Sequence, residues 1–495
     1  MTELIVTIII CIYVIVCVYF GINSMNETKS TEGFLLGDRN VGPILSAFSY
    51  GTSYFSAVIF VGYAGMFGYM IGIGSIWIGI GNAIIGCLLS WIVLAKKTRS
   101  ITHKLKTKTM PEFFAARYGS KTMKIYAAII IFIFLVPYAA SVYKGLGSLF
   151  SMIFNGANPV ICMAIVAGLT CIYLLLGGYI ATAKNDVFQG MIMIIGLIFM
   201  LIIIFSRPEV GGINGLFSKL SKIGDQFISP FGGNFIKLLC INILLTSFGV
   251  WGLPQMIHKY YAIKDERSIK TATIVSTIFA LFIGVGAYLT GSVSRLFIPS
   301  KDNDLPDLKG GYDDVMPTIL MKTLTNNVFT IIILGIIVIL LLSASMSTLS
   351  ALVLSSSSSI TIDLLKEAKK NITEKNEILA MRFFCFIFIA LSFIFASLNI
   401  SFIVNLMSFS WGIVAGSFIG PFLWGLYKKN ISKIGGWAGL LSGPVIVFSL
   451  LIYNMQTLPG GFEAAKSMAP EFGVIAMIVS VIVTPLFGLV GKKKD

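Results

Sequence analysis

Long apolar runs dominate this chain of 495 residues, and the short segments between them hold most of its charged residues. A helix needs about 20 apolar residues to cross a bilayer core of about 30 Å, and the runs have this length. Hydrophobic residues make up 56% of the chain and charged residues 12%, whereas soluble domains are roughly 25% charged. The chain is therefore predicted to be an all-α, polytopic membrane protein and not a soluble globular domain.

Thirteen apolar runs can be counted along the chain, with boundaries uncertain by several residues. In order, the runs lie near residues 3–21, 42–70, 72–95, 123–153, 158–182, 186–206, 235–257, 270–297, 327–362, 378–398, 401–426, 434–454 and 471–491. About 13 transmembrane helices are therefore predicted.

Lys and Arg are concentrated in a few of the segments between the runs. These basic segments are 96–121, 259–270, 366–375, 428–433 and 492–494. With thirteen crossings they all lie on one side of the membrane, and the loop 301–311, with Asp302, Asp304 and Asp307, lies on the other. Because cytoplasmic loops collect basic residues, we expect a multi-pass protein of the cytoplasmic membrane with its N-terminus outside and its C-terminus inside.

This topology also limits the classes of function. It accounts for the net charge of +15 without a nucleic-acid partner. No segment between runs has room for a soluble domain of about 50 residues, and the chain has no GxxxxGK[ST] phosphate loop. Energy for any transport is therefore expected from an ion gradient, with no organic cofactor and no required oligomer.

Two runs contain residues that interrupt a helix at mid-depth. The second run has the small, polar stretch Ser49–Ser56, and the seventh has Ser247–Gln255, which contains two glycines and Pro254. The two runs are five apart, so they cross the membrane in opposite directions. Paired interruptions of this kind are typical of inverted-repeat secondary transporters. The alternative is that the small residues only allow close helix packing.

The ninth run carries a cluster of hydroxyl groups. On a helix, Ala344, Ser347 and Thr348 lie on one face. Two hydroxyls and a carbonyl there, with carbonyls freed by the break in the second run, would give five neutral oxygen ligands for a hard monovalent cation. Alternatively, the Ser and Thr hydroxyls bond back to the preceding turn.

Asp186 and Lys144 are charged residues flanked by or within apolar runs. An ionisable group near the membrane interior is costly and usually marks an ion or proton path, which is the role expected for Asp186; the alternative is a local ion pair with Lys184. Lys144 could hold a substrate carboxylate, or its side chain could extend to the outer surface.

Several stretches resemble the sodium:solute symporter family, which includes bacterial proline, pantothenate, sialic acid and sugar symporters. In chain order these stretches are Leu36-Gly37-Asp38-Arg39, Gly177-Gly178 through Asp186 and Gln189, Met346 to Ser350 followed by Thr361-Ile362-Asp363, and Ser410-Trp411-Gly412 through Gly420-Pro421. The resemblance implies a leucine-transporter-like fold with two inverted five-helix repeats, each with a discontinuous first helix. The repeats would occupy residues 42–206 and 235–426, with an extra N-terminal helix at 1–22, and two C-terminal helices and a basic tail at 432–495.

The resemblance also implies a sodium site. Its ligands would be the backbone carbonyls of Thr52, Phe55 and Ala344 and the hydroxyls of Ser347 and Thr348. Asp186 matches the acidic residue on the family's cytoplasmic sodium exit route. Some members have a further sodium site that uses this acid and additional serines; here Ser350 is present, but Ala351 follows it.

The solute region differs more from the proline-type members. Those members carry an acidic residue at the first break, where this chain has Tyr54, and the second break has Val250 and Leu253 at polar or aromatic positions. Proline itself is therefore not favoured. The candidates for solute contact are Ser53, Tyr54, Ser56, Tyr138, Lys144, Trp251, Gln255 and Trp411.

Together these features predict a sodium-coupled symporter that imports a small organic solute, an amino acid or a carboxylate, by alternating access. A proton-coupled carrier in which Asp186 titrates, or a sugar-type symporter of the same fold, remains an alternative. A channel would need a filter, and no TVGYG-like sequence is present. An intramembrane enzyme has little support, since the two histidines, His103 and His258, are expected in loops.

Overall fold

The computed structural model describes residues 2–24, 30–154, 156–301, 305–325, 327–369, 372–398, 401–428 and 430–489. Asp302, Asp304 and the basic segment 492–494, which entered the topology prediction, lie outside these residues. In chain order the α-helices are α1 (Thr2–Asn23), α2 (Thr31–Leu36), α3 (Pro43–Tyr54), α4 (Ala64–Ile71), α5 (Ile76–Gly81), α6 (Lys96–Leu105), α7 (Met110–Tyr118), α8 (Lys121–Ile153), α9 (Pro159–Ser206), α10 (Gly212–Ile223), α11 (Ile236–Phe248), α12 (Pro254–Ala262), α13 (Glu266–Ser292), α14 (Val315–Leu324), α15 (Val328–Ser358), α16 (Lys366–Ala368), α17 (Glu374–Ser397), α18 (Ile403–Tyr427), α19 (Lys433–Thr457), α20 (Gly461–Ser467) and α21 (Ala469–Gly488).

Tighter and wider helical turns extend or join several of these helices. The π-helical turns are Val58–Tyr63, Asn82–Leu89, Trp91–Ala95 and Ser359–Leu365, and the 3₁₀ turns are Gly37–Arg39, Gly72–Ser75, Asp225–Phe227, Gly233–Phe235, Gly249–Gly252, Ser294–Leu296 and Gly311–Asp314. The predicted all-α architecture is confirmed.

Eleven helices of the described chain are long and apolar enough to cross a membrane. One of them, Val58–Leu105, has 48 residues and would be about 72 Å long as a straight helix, more than twice the bilayer core. It is divided at Gly72, where φ is +71° and ψ is −137°. This break favours two crossings in that stretch, but the count of thirteen stays a prediction.

A second break divides α9 at Gly178, where φ is +53° and ψ is −149°, a region that only glycine enters readily. A Cβ atom there would lie 2.8 Å from the carbonyl oxygen of Phe34 in α2. The fifth and sixth runs therefore meet at Gly178, and the boundary predicted near residues 182–186 was wrong. As a result, Asp186 lies within the helix Gly178–Ser206 and not between two helices.

The helices that carry the motifs form the interior of the fold. Helix α15 packs against α1, α3, α8 and α9, and α18 packs against α8, α19 and α21. In the most apolar 18-residue stretch of α18, 94% of the residues are buried inside the protein, whereas in that of α1 only 22% are buried. Helix α1 therefore lies at the periphery, as expected for an extra N-terminal helix, while the boundaries of the two repeats stay predictions.

Candidate functional site

The first predicted break is present, but it is shorter than predicted. Helix α3 ends at Tyr54, and Phe55 follows with φ −102° and ψ 114°. The Phe55 N–H still donates to the Gly51 carbonyl, at 3.3 Å, so Ser49 to Tyr54 are helical, and only Phe55 and Ser56 are interrupted. The Ser56 hydroxyl accepts a hydrogen bond from Val58 N–H at 3.2 Å and so caps the helical turns that follow. The Ala57 N–H donates to Ser345 Oγ of α15 at 3.1 Å, so α15 also supports the break.

Helix α15 meets the end of α3 through hydroxyl groups. The Ser347 Oγ lies 2.8 Å from Thr52 Oγ1 and 3.3 Å from Ser53 Oγ. The Thr348 hydroxyl donates to the Ser53 carbonyl at 3.1 Å, and it is also 3.0 Å from the Ala344 carbonyl, one turn back. The residues predicted to share one face of this helix therefore do face the break, and bonding back to the preceding turn occurs as well.

Asp186 joins this cluster from α9. Its side chain is 1% exposed, and its Oδ1 accepts a hydrogen bond from the Ser347 hydroxyl at 2.6 Å. A hydroxyl has one hydrogen, so Ser347 donates to the carboxylate and accepts from Ser53, while the Thr52 hydroxyl donates to the Phe48 carbonyl at 2.7 Å. The Asp186 Oδ2 atom has no hydrogen-bond partner among the described residues. The carboxylate therefore keeps an oxygen for a further ligand.

The polar atoms that face one another in this cluster are all oxygens. It combines the hydroxyls of Thr52, Ser53, Ser347 and Thr348, the Ser53 and Ala344 carbonyls, and one carboxylate. Such ligands suit hard cations. Phe55, a further predicted ligand, lies at the break itself. Ser350 is buried one turn further along α15, where its hydroxyl donates to the Met346 carbonyl at 2.6 Å.

Lys259 is a residue of this region that the sequence analysis missed. It was assigned to a basic loop segment, but it lies in α12 and is only 3% exposed. Its ammonium group donates to the Ser49 hydroxyl at 2.7 Å. The signal in the sequence was the stretch Tyr260-Tyr261-Ala262, which continues the apolar run past the lysine.

The prediction that both histidines lie in loops was also wrong. His258 is buried in α12, and His103 lies in the last turn of α6. In both places helical structure continues past the apolar run into the charged segment that follows it.

The second predicted break is confirmed. Helix α11 ends at Phe248, the 3₁₀ turn Gly249–Gly252 follows, and Leu253 is extended before Pro254 begins α12. Proline favours the first turn of a helix, where no N–H partner is required. The two breaks are linked, since the Tyr54 hydroxyl donates to the Thr246 carbonyl of α11 at 2.8 Å.

Several of the candidate solute residues lie at or near the second break. The rings of Tyr138 and Trp411 meet edge to face with centroids 5.6 Å apart, and a Cβ atom on Gly249 would lie 2.8 Å from the Trp411 ring. Gln255 is buried in the first turn of α12, and its Oε1 has no hydrogen-bond partner in the described part of the chain. Tyr138, Trp411 and Gln255 are therefore the solute candidates to consider at this break.

Other candidates are committed to contacts within the protein. Tyr54 bonds to α11, Ser56 caps a helical turn, and the Trp251 indole donates to the Ile85 carbonyl at 3.0 Å. Ser53 belongs to the hydroxyl cluster. These four residues therefore shape the two breaks through bonds that are already made.

Lys144 is paired within the protein, and its two predicted roles stay predictions. Its ammonium group forms an ion pair with Asp313 at 2.9 Å and donates to the Ser401 carbonyl at 2.6 Å. Burial raises the pKa of Asp313, and the charge of Lys144 opposes that rise. The pair lines a cavity of about 1030 Å³ beside the segment 305–314, so the charge of Lys144 is already paired while its side chain, 18% exposed, borders the cavity.

Relatives of known function resemble the chain over nearly its whole length. The osmoregulated proline transporter OpuE of Bacillus subtilis (strain 168) is 26% identical over 477 residues, which cover 96% of this chain and 93% of OpuE. The high-affinity proline transporter PutP of the same organism is 27% identical, with 94% and 97% covered. A sodium/proline symporter of Staphylococcus aureus is also 27% identical, with 98% and 93% covered.

Solved structures show the same fold. A Na⁺-coupled sialic acid symporter in a substrate-bound, outward-open state aligns with a TM-score of 0.79 at 18% identity, covering 99% of this chain and 98% of that one. The nucleobase-cation-symport-1 family transporter MHP1, in a closed conformation, aligns with a TM-score of 0.54 at 12% identity over 92% and 94% of the two chains. The leucine-transporter-like architecture is thereby confirmed.

The model of the sodium:solute symporter family matches residues 34–443. This range contains both breaks, the hydroxyl cluster of α15, Asp186 and Lys259. With more than four fifths of its length inside the match, the chain belongs to the sodium:solute symporter family.

Proposed function

We propose that this sodium-coupled symporter imports a small amino acid or carboxylate across the cytoplasmic membrane by alternating access. The observation that carries the proposal is the meeting of Ser347 and Thr348 with the end of α3, at the point where that helix is interrupted. A broken helix beside a polar helix face is the arrangement by which transporters of this type hold ion and solute near the bilayer midplane.

Sodium would bind between α3 and α15. The ligands are the carbonyls of Thr52, Phe55 and Ala344 and the hydroxyls of Ser347 and Thr348. Because Ser347 and Thr348 now bond to α3 directly, an ion placed between the helices replaces these hydrogen bonds with stronger ion contacts. Coupling then follows from differential affinity, since an ion that bound both states equally would shift neither.

Asp186 would receive the ion as it leaves the site. Its carboxylate contacts Ser347 directly, so a short step carries sodium from neutral ligands to a charged one. A membrane voltage of 100 mV contributes about 2.3 kcal/mol for each charge moved fully across. A second sodium ion, shared by Asp186 and Ser350, is the less supported arrangement because Ala351 supplies no oxygen from its side chain.

The solute would bind at the second break. The N-terminus of α12 brings the positive end of its helix dipole to this break, which favours a carboxylate. Tyr138, Trp411 and Gln255 are the candidate side chains for solute contact there. The curated relatives are proline transporters, so L-proline is the first solute to test, although Tyr54 occupies the acidic position of that branch.

All of these residues belong to one chain, so the proposed site is complete without an oligomer. The distribution of the basic segments supports an orientation with the N-terminus outside and the C-terminus inside the cell. The exposed apolar side chains of α1, such as Leu4, Ile12 and Ile15, are suited to contact with lipid.

Uptake by proteoliposomes tests the proposal. The purified chain is reconstituted, and L-proline, other amino acids, small carboxylates and sugars are supplied with an inward sodium gradient or with choline at the same pH. We expect saturable uptake and counterflow of one solute class in sodium alone. Uptake that persists in choline and follows a pH gradient would indicate proton coupling, and unsaturable flux without counterflow would indicate a channel.

A further inference from the structure

Lys259 brings a buried positive charge next to the proposed sodium site. Helix α12 is buried along its whole length, and the lysine ammonium contacts two other helices. It donates to Ser49 Oγ of α3 at 2.7 Å, and it lies 5.1 Å from the ring centroid of Tyr179, just after the break in α9. The ammonium group is therefore held at the junction of α3, α9 and α12.

Asp186 is the carboxylate that acts on this ammonium group. Both groups approach the same stretch of α3, since the ammonium donates to Ser49 Oγ. The carboxylate reaches Thr52, one turn further along, through the Ser347 hydroxyl. The two opposite charges therefore lie in each other's field without a direct ion pair. An isolated buried charge is costly, so each of these groups requires the other while no ion is present.

Sodium would change this balance. The same carboxylate accepts a hydrogen bond from Ser347, a proposed sodium ligand. An ion bound at Ser347 would therefore place a second positive charge near Asp186, and like charges that share one carboxylate disfavour each other. Lys259 and sodium thus compete for Asp186.

We propose that Lys259 is a counter-ion of Asp186 that takes over from sodium in the empty carrier and allows that empty form to return across the membrane. The inference rests on the proposed function. Lys259 is a positioning residue, because its ammonium group touches neither the proposed sodium ligands of α15 nor the solute candidates at the second break in the described structure.

A sodium titration without solute tests the competition. Thermal unfolding of the detergent-solubilised protein is followed as sodium chloride replaces choline chloride, for the wild type, Lys259→Met and Lys259→Arg. We expect the half-saturating sodium concentration to fall about tenfold in Lys259→Met, equivalent to about 1.4 kcal/mol, and to return towards the wild-type value in Lys259→Arg. Ser49→Ala, which keeps both charges but removes the bond that holds the ammonium group, should shift it in the same direction by a smaller factor.

Transport separates the return step from the loaded step. Net uptake of L-proline requires the empty carrier to return, whereas exchange with sodium and L-proline on both sides does not. We expect the ratio of net uptake to exchange to fall about tenfold in Lys259→Met. Unchanged sodium affinity and an unchanged ratio in both Lys259→Met and Ser49→Ala would overturn the inference. Absence of sodium-dependent exchange for any tested solute in the wild type would instead overturn the proposed function.

Discussion

Removal of the Ser347 hydroxyl should weaken sodium binding without abolishing transport. This hydroxyl lies 2.8 Å from Thr52 Oγ1 and donates to Asp186 at 2.6 Å. In Ser347→Ala the ion loses one neutral oxygen ligand, and the freed space can admit water as a partial replacement. A hydrogen bond to a charged group is worth about 1.5–3 kcal/mol, and partial replacement favours the lower end. A loss of about 1.5 kcal/mol corresponds to about a tenfold weaker affinity.

Two measurements report this affinity. The initial rate of solute uptake by proteoliposomes is recorded against external sodium at saturating solute, and sodium-dependent thermal stabilisation is recorded without solute. We expect the half-saturating sodium concentration to rise about tenfold in both measurements, with most of the maximal rate retained at high sodium.

Ser358→Ala is the matched control. Ser358 is a buried serine of the same helix, and its hydroxyl donates to the Ser355 carbonyl at 3.0 Å. Its removal deletes the same group from α15 away from α3, so its sodium dependence should match the wild type. If Ser347→Ala showed the sodium dependence of Ser358→Ala, the assignment of Ser347 as a ligand would be wrong.

Three further changes have outcomes that follow from single contacts. Thr348→Ala should raise the half-saturating sodium concentration, whereas Thr348→Ser, which keeps the hydroxyl facing the first break, should stay within about twofold of the wild type; equal effects of the two would argue against a hydroxyl ligand. Gly178→Ala should destabilise the protein by about 1–3 kcal/mol because alanine does not readily adopt the backbone conformation of Gly178, and the midpoint of thermal unfolding should fall. Gly168→Ala, where a Cβ atom meets open space, should leave that midpoint unchanged. Asp265 caps α13 by accepting from the Ser268 N–H at 2.7 Å, which lowers the pKa of its carboxyl. The stabilisation by this cap should be present above the usual carboxyl pKa and be lost as the pH falls through the lowered pKa, so Asp265→Ala should lower the unfolding midpoint at neutral pH. A difference between the variant and the wild type that persisted unchanged below about pH 3 would contradict the charged cap.

Features that depend on a few neighbouring residues could be predicted from the sequence. Pro254 and its flanking glycines marked the second break because their effect on a helix is local. The face shared by Ser347 and Thr348 followed from helical periodicity. The first break was located but drawn too long, because small polar residues are compatible with a helix. Its place is supported by the Ser56 cap and by the contact of the Ala57 N–H with Ser345 of α15.

Features that depend on long-range contacts could not be predicted in the same way. Lys259 lies beside loop charges in the sequence, and only the packing of α12 between α3 and other helices shows that it is buried. The end of the fifth run depended on the approach of Gly178 to α2, which the apolar pattern does not report. Lys144 appeared free for a solute because its partner, Asp313, lies far along the chain.

A structure of the purified protein determined in sodium chloride, and again in N-methylglucamine chloride, tests the central claim most directly. We expect density for an ion between the end of α3 and the Ser347 and Thr348 hydroxyls in sodium alone, with Ser347 drawn from Asp186 towards the ion. An ion bound elsewhere, or the same hydroxyl contacts in both salts while transport still requires sodium, would contradict the proposed site.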